Sequence, residues 1–415
     1  MTSEPTAADA KQREPSGDTR LRRLVVGQGL AAVVDALFLI WLTLFVLKLS
    51  EPGMTTGFVL VAVALPRTLL LLPAGVLVDR VGPGRVAAVA AWLRVGVLLA
   101  LTVIVVSTST STSPSVTTVA ILAGLLGIAD AAYFPAALAL LPAVAPAAKL
   151  PQVNALVQGA ESGGDLIGPA VAAGVIAAVG FEATLAGITV VAASAALALV
   201  SLRRVAKAAE ADHDAEPQSS ARALAAGLRH AWNEPLVRGM LAAVAVINIA
   251  VVGPVIVGGA VLADQRLGGA GALGIVLSGF GAGALTGSLL AGLLPSDRRG
   301  WIVVGGVAAI GAGTAGLAAV THVIAATAVV SLAGIGSGFL GVVIVATLQE
   351  SVPEGLRGRV LSLVVLATVA FDPISYALAG ALLPYGTTVL FLASGGAVLA
   401  CAALMATSPA MRTLR

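Results

Sequence analysis

From Arg23 onward the chain is a succession of long apolar runs separated by short breaks of Gly, Pro or a few charges. Each run reaches about 20 residues or more, the length a helix needs to cross the hydrocarbon core of a bilayer. Twelve such runs are read as spans: 23–48, 55–79, 84–107, 116–143, 150–179, 182–202, 236–263, 271–295, 300–320, 322–350, 356–383 and 385–407. Two polar tracts interrupt the pattern. Residues 1–20 read as a disordered tail rather than a signal peptide, because no apolar segment stands near the start. The tract 203–235 contains AEADHDAEPQSS, a disordered linker by composition, and divides the spans into two sets of six.

The expected organisation is therefore a cytoplasmic tail (1–20), a six-helix bundle (21–203), a linker (204–235), a second six-helix bundle (236–407) and a short tail (408–415). Within the linker, SSARALAAGLRHAW is read as a short helix capped by Ser219 or Ser220, either resting on the membrane or simply solvated. The halves resemble one another. LPAVAPAAKLPQVNAL (141–156) aligns with LQESVPEGLRGRVLSL (348–363) at an offset of 207, which also places Asp165 on Asp372. Internal repeats of this kind build secondary transporters, with a binding site between halves near the bilayer midplane. The fold class expected is an all-α polytopic membrane protein of twelve helices in two pseudo-symmetric bundles.

Composition agrees. Apolar residues make up 58% of the chain and charged residues 11%, against about 25% charged in soluble domains. The net charge of +3 gives no clustered basic face for nucleic acid. One cysteine, Cys401, and three scattered histidines, His213, His230 and His322, offer neither a disulfide nor a metal motif. No P-loop and no nucleophile–base pair stands out, so an enzyme is not expected, and no cofactor or metal is called for.

Basic residues orient the spans. Of the 24 Lys and Arg, only Lys48 and Arg266 fall in loops on the side opposite the termini, and only Arg67 and Arg94 fall inside spans. The positive-inside rule then places both termini in the cytoplasm.

The loop after the second span reads GVLVDRVGPGR, from Gly75 to Arg85. Gly75, Asp79, Arg80, Gly82 and Arg85 resemble the signature of the major facilitator superfamily at this position. That resemblance implies a conformational gate, in which Gly75 lets span eleven approach and Asp79 pairs at its end near Leu356. The equivalent loop of the second half, GLLPSDRRG, is degenerate. In span five, Gly164, Gly168 and Pro169 resemble the antiporter signature of exporting members, a kinked helix; Ala172 and Ala173 stand where glycines are usual. Together with LPR at 65–67, the Asp of span one and WLRV at 92–95, these features are most similar to bacterial efflux proteins of the enterobactin-exporter and macrolide-efflux type. The resemblance covers about 21–407 and implies a multi-pass protein of the bacterial inner membrane that works as a monomer on a small-molecule substrate.

A charge inside the bilayer costs about 2.5–3.5 kcal/mol on insertion scales, so embedded charges are functional candidates. The mid-span set is Asp35, Arg67, Arg94, Asp130, Glu161, Asp165 and Asp372. Asn154, Gln158, Glu161 and Asp165 recur at helical spacing and form one polar stripe. The reading is proton coupling: a carboxyl withdrawn from water takes a proton more readily, and a polar or cationic substrate competes for it. Asp35, Asp165, Glu161 and Asp130 are the proton-coupling candidates. Gln28, Asn154, Gln158, Asn248, Asp372, Tyr376 and Arg94 are the substrate-cavity candidates. The competing reading makes Arg67 and Arg94 static ion-pair partners that hold helices in register. The function expected is proton-coupled export of small amphipathic compounds, drugs or a secreted metabolite, by alternating access; the alternatives are proton-coupled uptake and a non-transporting sensor or scaffold.

Overall fold

The computed structural model describes residues 17–50, 53–108, 114–144, 150–200, 228–229, 232–291, 299–352, 363–364 and 366–409. The described residues are almost wholly helical. The first half contains α1 (Gly17–Leu49), α2 (Met54–Val81), α3 (Pro83–Thr108) and α4 (Val116–Val144). A 51-residue helical element, Leu150–Val200, follows and breaks at Gly180, where φ is 84°. Its legs are α5 (150–179) and α6 (181–200). They run in opposite directions, because both Gly164 on α5 and Leu199 on α6 pack against the same stretch of α1, at Ala32 and Gly27. Gly180 makes this reversal without a linker, since a left-handed φ carries little strain only at glycine. Trp41 of α1 donates its indole N–H to the Phe181 carbonyl at 2.8 Å and fastens the turn.

The second half contains α7 (Pro235–Leu267), α8 (Ala270–Ala291), α9 (Arg299–Gly316), α10 (Val323–Ser351), α11 (Leu366–Tyr385) and α12 (Thr387–Thr407). Among the described residues eleven helices are long and apolar enough to cross a membrane, and the one at 167–200 runs through the Gly180 turn, so two crossings share it. α1 starts at Gly17, inside the stretch read as tail. The surface helix read into the linker lies mostly outside the described residues, as do the tail 1–16 and the start of span eleven.

Large apolar side chains such as Leu69, Val89, Val190, Leu289 and Leu404 point outward, as a lipid-facing surface requires. Inside, small residues set the spacing. α2 packs on α4, and α8 packs on α10. In each pair a glycine meets a backbone carbonyl: Gly127 at Val63, and Gly334 at Phe280. The repeat step of 207 carries Gly127 onto Gly334. The same packing device is thus used twice, once in each half.

The apolar core is divided unevenly. One large cluster joins α1–α6 with Val257, Leu273, Tyr376 and Leu383, which lie toward the end of the bundle remote from the chain termini. A second cluster, around Met240, Val307, Ile344 and Val398, lies toward the terminal end and draws only on the second half. Among the described residues the halves therefore share a core at the far end and part toward the termini. Far-end contacts are close: α2 meets α11 at Gly57 and Gly380, and α5 meets α8 at Ala173 and Gly274.

Candidate functional site

Below the far-end contact, α1, α2, α4 and α11 enclose a cavity of about 280 Å³, close to the lower limit for small-molecule sites. Its walls are mainly apolar, with Phe38, Leu39, Leu42, Leu60, Phe134 and Leu138 among them. Into this apolar setting the chain places Gln28, Asp35, Arg67, Thr68, Asp130, Asp372 and Tyr376.

The first polar group is a triad on α1, α3 and α4. Arg94 donates a hydrogen bond from Nη2 to Asp35 Oδ1. Its Nε lies 2.7 Å from Asp130 Oδ1, a contact that is ionic rather than a well-aligned hydrogen bond. The guanidinium also sits over the Tyr133 ring, 4.8 Å from its centroid. Alanines at 90, 91, 129 and 131 let the three helices come close enough for this reach. Exposure separates the carboxylates: the Asp35 side chain is 39% exposed, Asp130 11% and Arg94 5%. Asp35 is thus the wet arm of the triad, Asp130 the dry arm, and Arg94 stands behind the cavity wall rather than in it. A buried guanidinium needs such compensation, because an unpaired charge in low dielectric costs several kcal/mol.

Gln28 braces the same wall, donating its side-chain amide to the Ala137 carbonyl at 2.9 Å. The second polar group crosses the seam between halves. Arg67 and Thr68 on α2 face Asp372 and Tyr376 on α11. The Thr68 hydroxyl donates to the Val369 carbonyl at 3.4 Å, a long bond. α11 is interrupted just before Asp372: residues 370–371 form a turn, and the regular helix resumes at Asp372 with Pro373 behind it. A discontinuous helix at a cavity exposes polar backbone where a protein wall, rather than lipid, receives it.

α7 departs from regular geometry as well, with π-helical segments at Asn248–Val252, Pro254–Gly258 and Ala263–Leu267. Asn248 does not join the cavity. Its side-chain amide donates to Val244 of its own helix at 2.8 Å. Five residues on, the buried Gly253 N–H donates to Ser375 Oγ at 2.7 Å, tying α7 to α11.

Of the other sequence candidates, Asn154, Gln158, Glu161 and Asp165 stand on α5, but their side chains lie outside the described residues. Gly164 and Gly168 press α5 onto α1 at Ala32 and Ala36. Pro169 lies within α5, and the one non-helical residue of the Leu150–Val200 element is Gly180, after α5 ends. On the same stretch Ala170 and Ala173 receive Gly274 of α8, so it serves both its own half and the seam. In the loop after α2, Gly82 takes φ 94° and its N–H caps Val78 at 2.9 Å. Asp79, Arg80 and Arg85 are exposed. Among the described residues a Cβ on Gly75 would meet nothing within 4 Å. The residues near Leu356 are outside the described ones.

Sequence reasoning placed Asp35, Asp130, Gln28, Asp372 and Tyr376 without the cavity in view. It gave Arg67 no place in the cavity and overlooked Thr68. The available signal was charge balance, since an embedded arginine on α2 calls for an embedded acid. Among the described residues no group of His, Cys, Asp or Glu is placed to hold a metal ion.

Residues 24–368 match the Major Facilitator Superfamily. The chain belongs to that superfamily. An uncharacterized MFS-type transporter, y4rN, of Sinorhizobium fredii (strain NBRC 101917 / NGR234) is 28% identical over 93% of this chain and 94% of its own. Among solved structures, a nucleoside transporter, NupG, superposes with a TM-score of 0.69 at 12% identity, covering 93% of this chain and 98% of its own. A peptide transporter, POT, in complex with sulfate superposes with a TM-score of 0.70 at 14% identity, covering 95% of each. At such identities the structures share the fold alone. Membership makes this chain a multi-pass membrane transporter that handles a small molecule, and not an enzyme.

Proposed function

We propose that the chain is a proton-coupled antiporter that exports small amphipathic compounds by alternating access, with Asp35 as the proton-exchanging group. The observation that carries this reading is the charge count of the cavity and its wall. Among the described residues Asp35, Asp130 and Asp372 face two cations, Arg67 and Arg94. The site is short of one positive charge. A proton, or a positively charged group carried by the substrate, supplies it, and the two compete. The triad is suited to the exchange: when Asp35 is neutralised, Arg94 keeps Asp130 as its counter-ion, so no buried charge is left alone.

On the orientation implied by the basic loops, both termini are cytoplasmic and the parted end of the bundle opens inward. The far-end seal at Gly57–Gly380 and Gly274–Ala173 would then be the outer gate. The Gly75–Arg85 loop would engage α11 only in the outward-open state. The setting is a bacterial inner membrane, and the unit is a monomer. The test is flux in inside-out vesicles with an acid interior. A transported compound discharges the pH gradient through the wild-type chain, and Asp35→Asn abolishes that discharge. Export that runs unchanged without a gradient would remove the coupling claim.

A further inference from the structure

Two of the cavity's charges are not members of the triad. Arg67 on α2 and Asp372 on α11 line the same space from opposite halves. The charge of Arg67 reaches Asp372. Among the described residues, however, neither makes an ion pair or a side-chain hydrogen bond. Arg94 behaves differently: it is closed off by two carboxylates and a tyrosine ring. A guanidinium keeps its charge at any physiological pH and presents a planar fork of donors that matches a carboxylate. Asp372, when ionised, offers only acceptors. The same cavity is lined by apolar side chains that include Phe134 and Leu138.

We propose that Arg67 and Asp372 are the two ends of a subsite for a zwitterionic solute, an amine and a carboxylate carried on an apolar body. The carboxylate takes the fork of Arg67, the ammonium takes Asp372, and the solute bridges the halves across their seam. Simple cations meet Arg67 as a like charge, and simple anions meet Asp372 and Asp35 as like charges. A molecule with both groups satisfies each end at once. The proposal rests on reading the cavity as the transport site, and it narrows the amphipathic cargo to one charge class.

The test is equilibrium binding to the full chain in nanodiscs by titration calorimetry, with three probes on one scaffold: 2-naphthylalanine, its methyl ester and its N-acetyl derivative. The free amino acid is expected to bind at least about tenfold more tightly than either derivative, a difference of about 1.4 kcal/mol. Arg67→Ala removes the preference over the ester, and Asp372→Asn removes the preference over the N-acetyl compound. Arg67→Lys keeps part of the preference and controls for misfolding. Equal binding of all three probes, no binding of the free amino acid, or a preference that survives Arg67→Ala overturns the proposal. Binding is read without a pH gradient. Failure of proton coupling therefore leaves the probe preference standing, and loss of the preference leaves coupling standing.

Discussion

Gly57 of α2 lies against Gly380 of α11 so closely that a Cβ on Gly57 would come within 2.9 Å of the Gly380 Cα and 2.8 Å of the Tyr376 carbonyl. The other half repeats the contact, where a Cβ on Gly274 would lie 3.0 Å from that of Ala173. The 207-residue step that relates the halves carries Ala173 onto Gly380. The far end is thus sealed twice by the same device, two small residues where two helices cross.

A side chain at the first of these crossings should pry the far end open. Overpacking costs about 1–3 kcal/mol, enough to move a two-state population by about fivefold or more. Gly57→Leu is therefore expected to lengthen the distance between spin labels on the far ends of α2 and α11 in nanodiscs. A distance distribution identical to wild type would show that this crossing does not hold the seal.

The two glycines that open and close the α2–α3 loop motif should respond differently to alanine. Gly82 sits at φ 94°, where an L side chain strains the backbone by about 1–3 kcal/mol. Gly75 is helical with open space beside it. Gly82→Ala is expected to lower the melting temperature in detergent while Gly75→Ala leaves it near wild type. Equal losses from both would contradict the open space at Gly75.

Among the described residues Arg94 is the cation that pairs with the dry carboxylate of Asp130. Arg94→Met leaves that carboxylate buried and uncompensated, a loss of about 3–5 kcal/mol. Pairing it with Asp130→Leu should restore most of the stability, since an apolar pair replaces an ionic one at little net cost. Unfolding curves of the single and double variants check this. A single variant as stable as wild type would mean that the triad does not hold α3 to α4.

Ser375 supplies the acceptor for the buried Gly253 N–H. Ser375→Ala orphans that donor, at a cost of about 1–3 kcal/mol. Hydrogen exchange should rise across 248–258 and stay unchanged in α3. No change in the α7 amides would show that the bond does not tie α7 to α11.

Much of the architecture was legible because lipid imposes a simple rule. Apolar length sets the crossings, and glycine marks their ends, as Gly82 and Gly180 do. The repeat was legible too, since one offset joins Asp165 to Asp372 and Gly127 to Gly334. Embedded charge pointed to Asp35, Asp130 and Asp372, because each is expensive unless compensated. The rotation of each helix was not legible. A helix that is apolar all round carries no period to say which face turns inward. For that reason Asn248, which turns back on its own helix, could not be told from Gln28, which braces the cavity wall. Arg94 could likewise not be placed behind the wall rather than in it. The π-helical segments of α7 left no mark either; Gly253, between the first two of them, is bonded to Ser375 of α11.

The most direct test of the account is proton movement through reconstituted Asp35→Asn. In liposomes carrying a pH gradient, the wild-type chain should couple substrate export to proton entry. The variant, folded and with Arg94 still held by Asp130, should bind substrate yet move no protons with it. Substrate-dependent proton flux at the wild-type rate in Asp35→Asn would contradict the assignment of the coupling group.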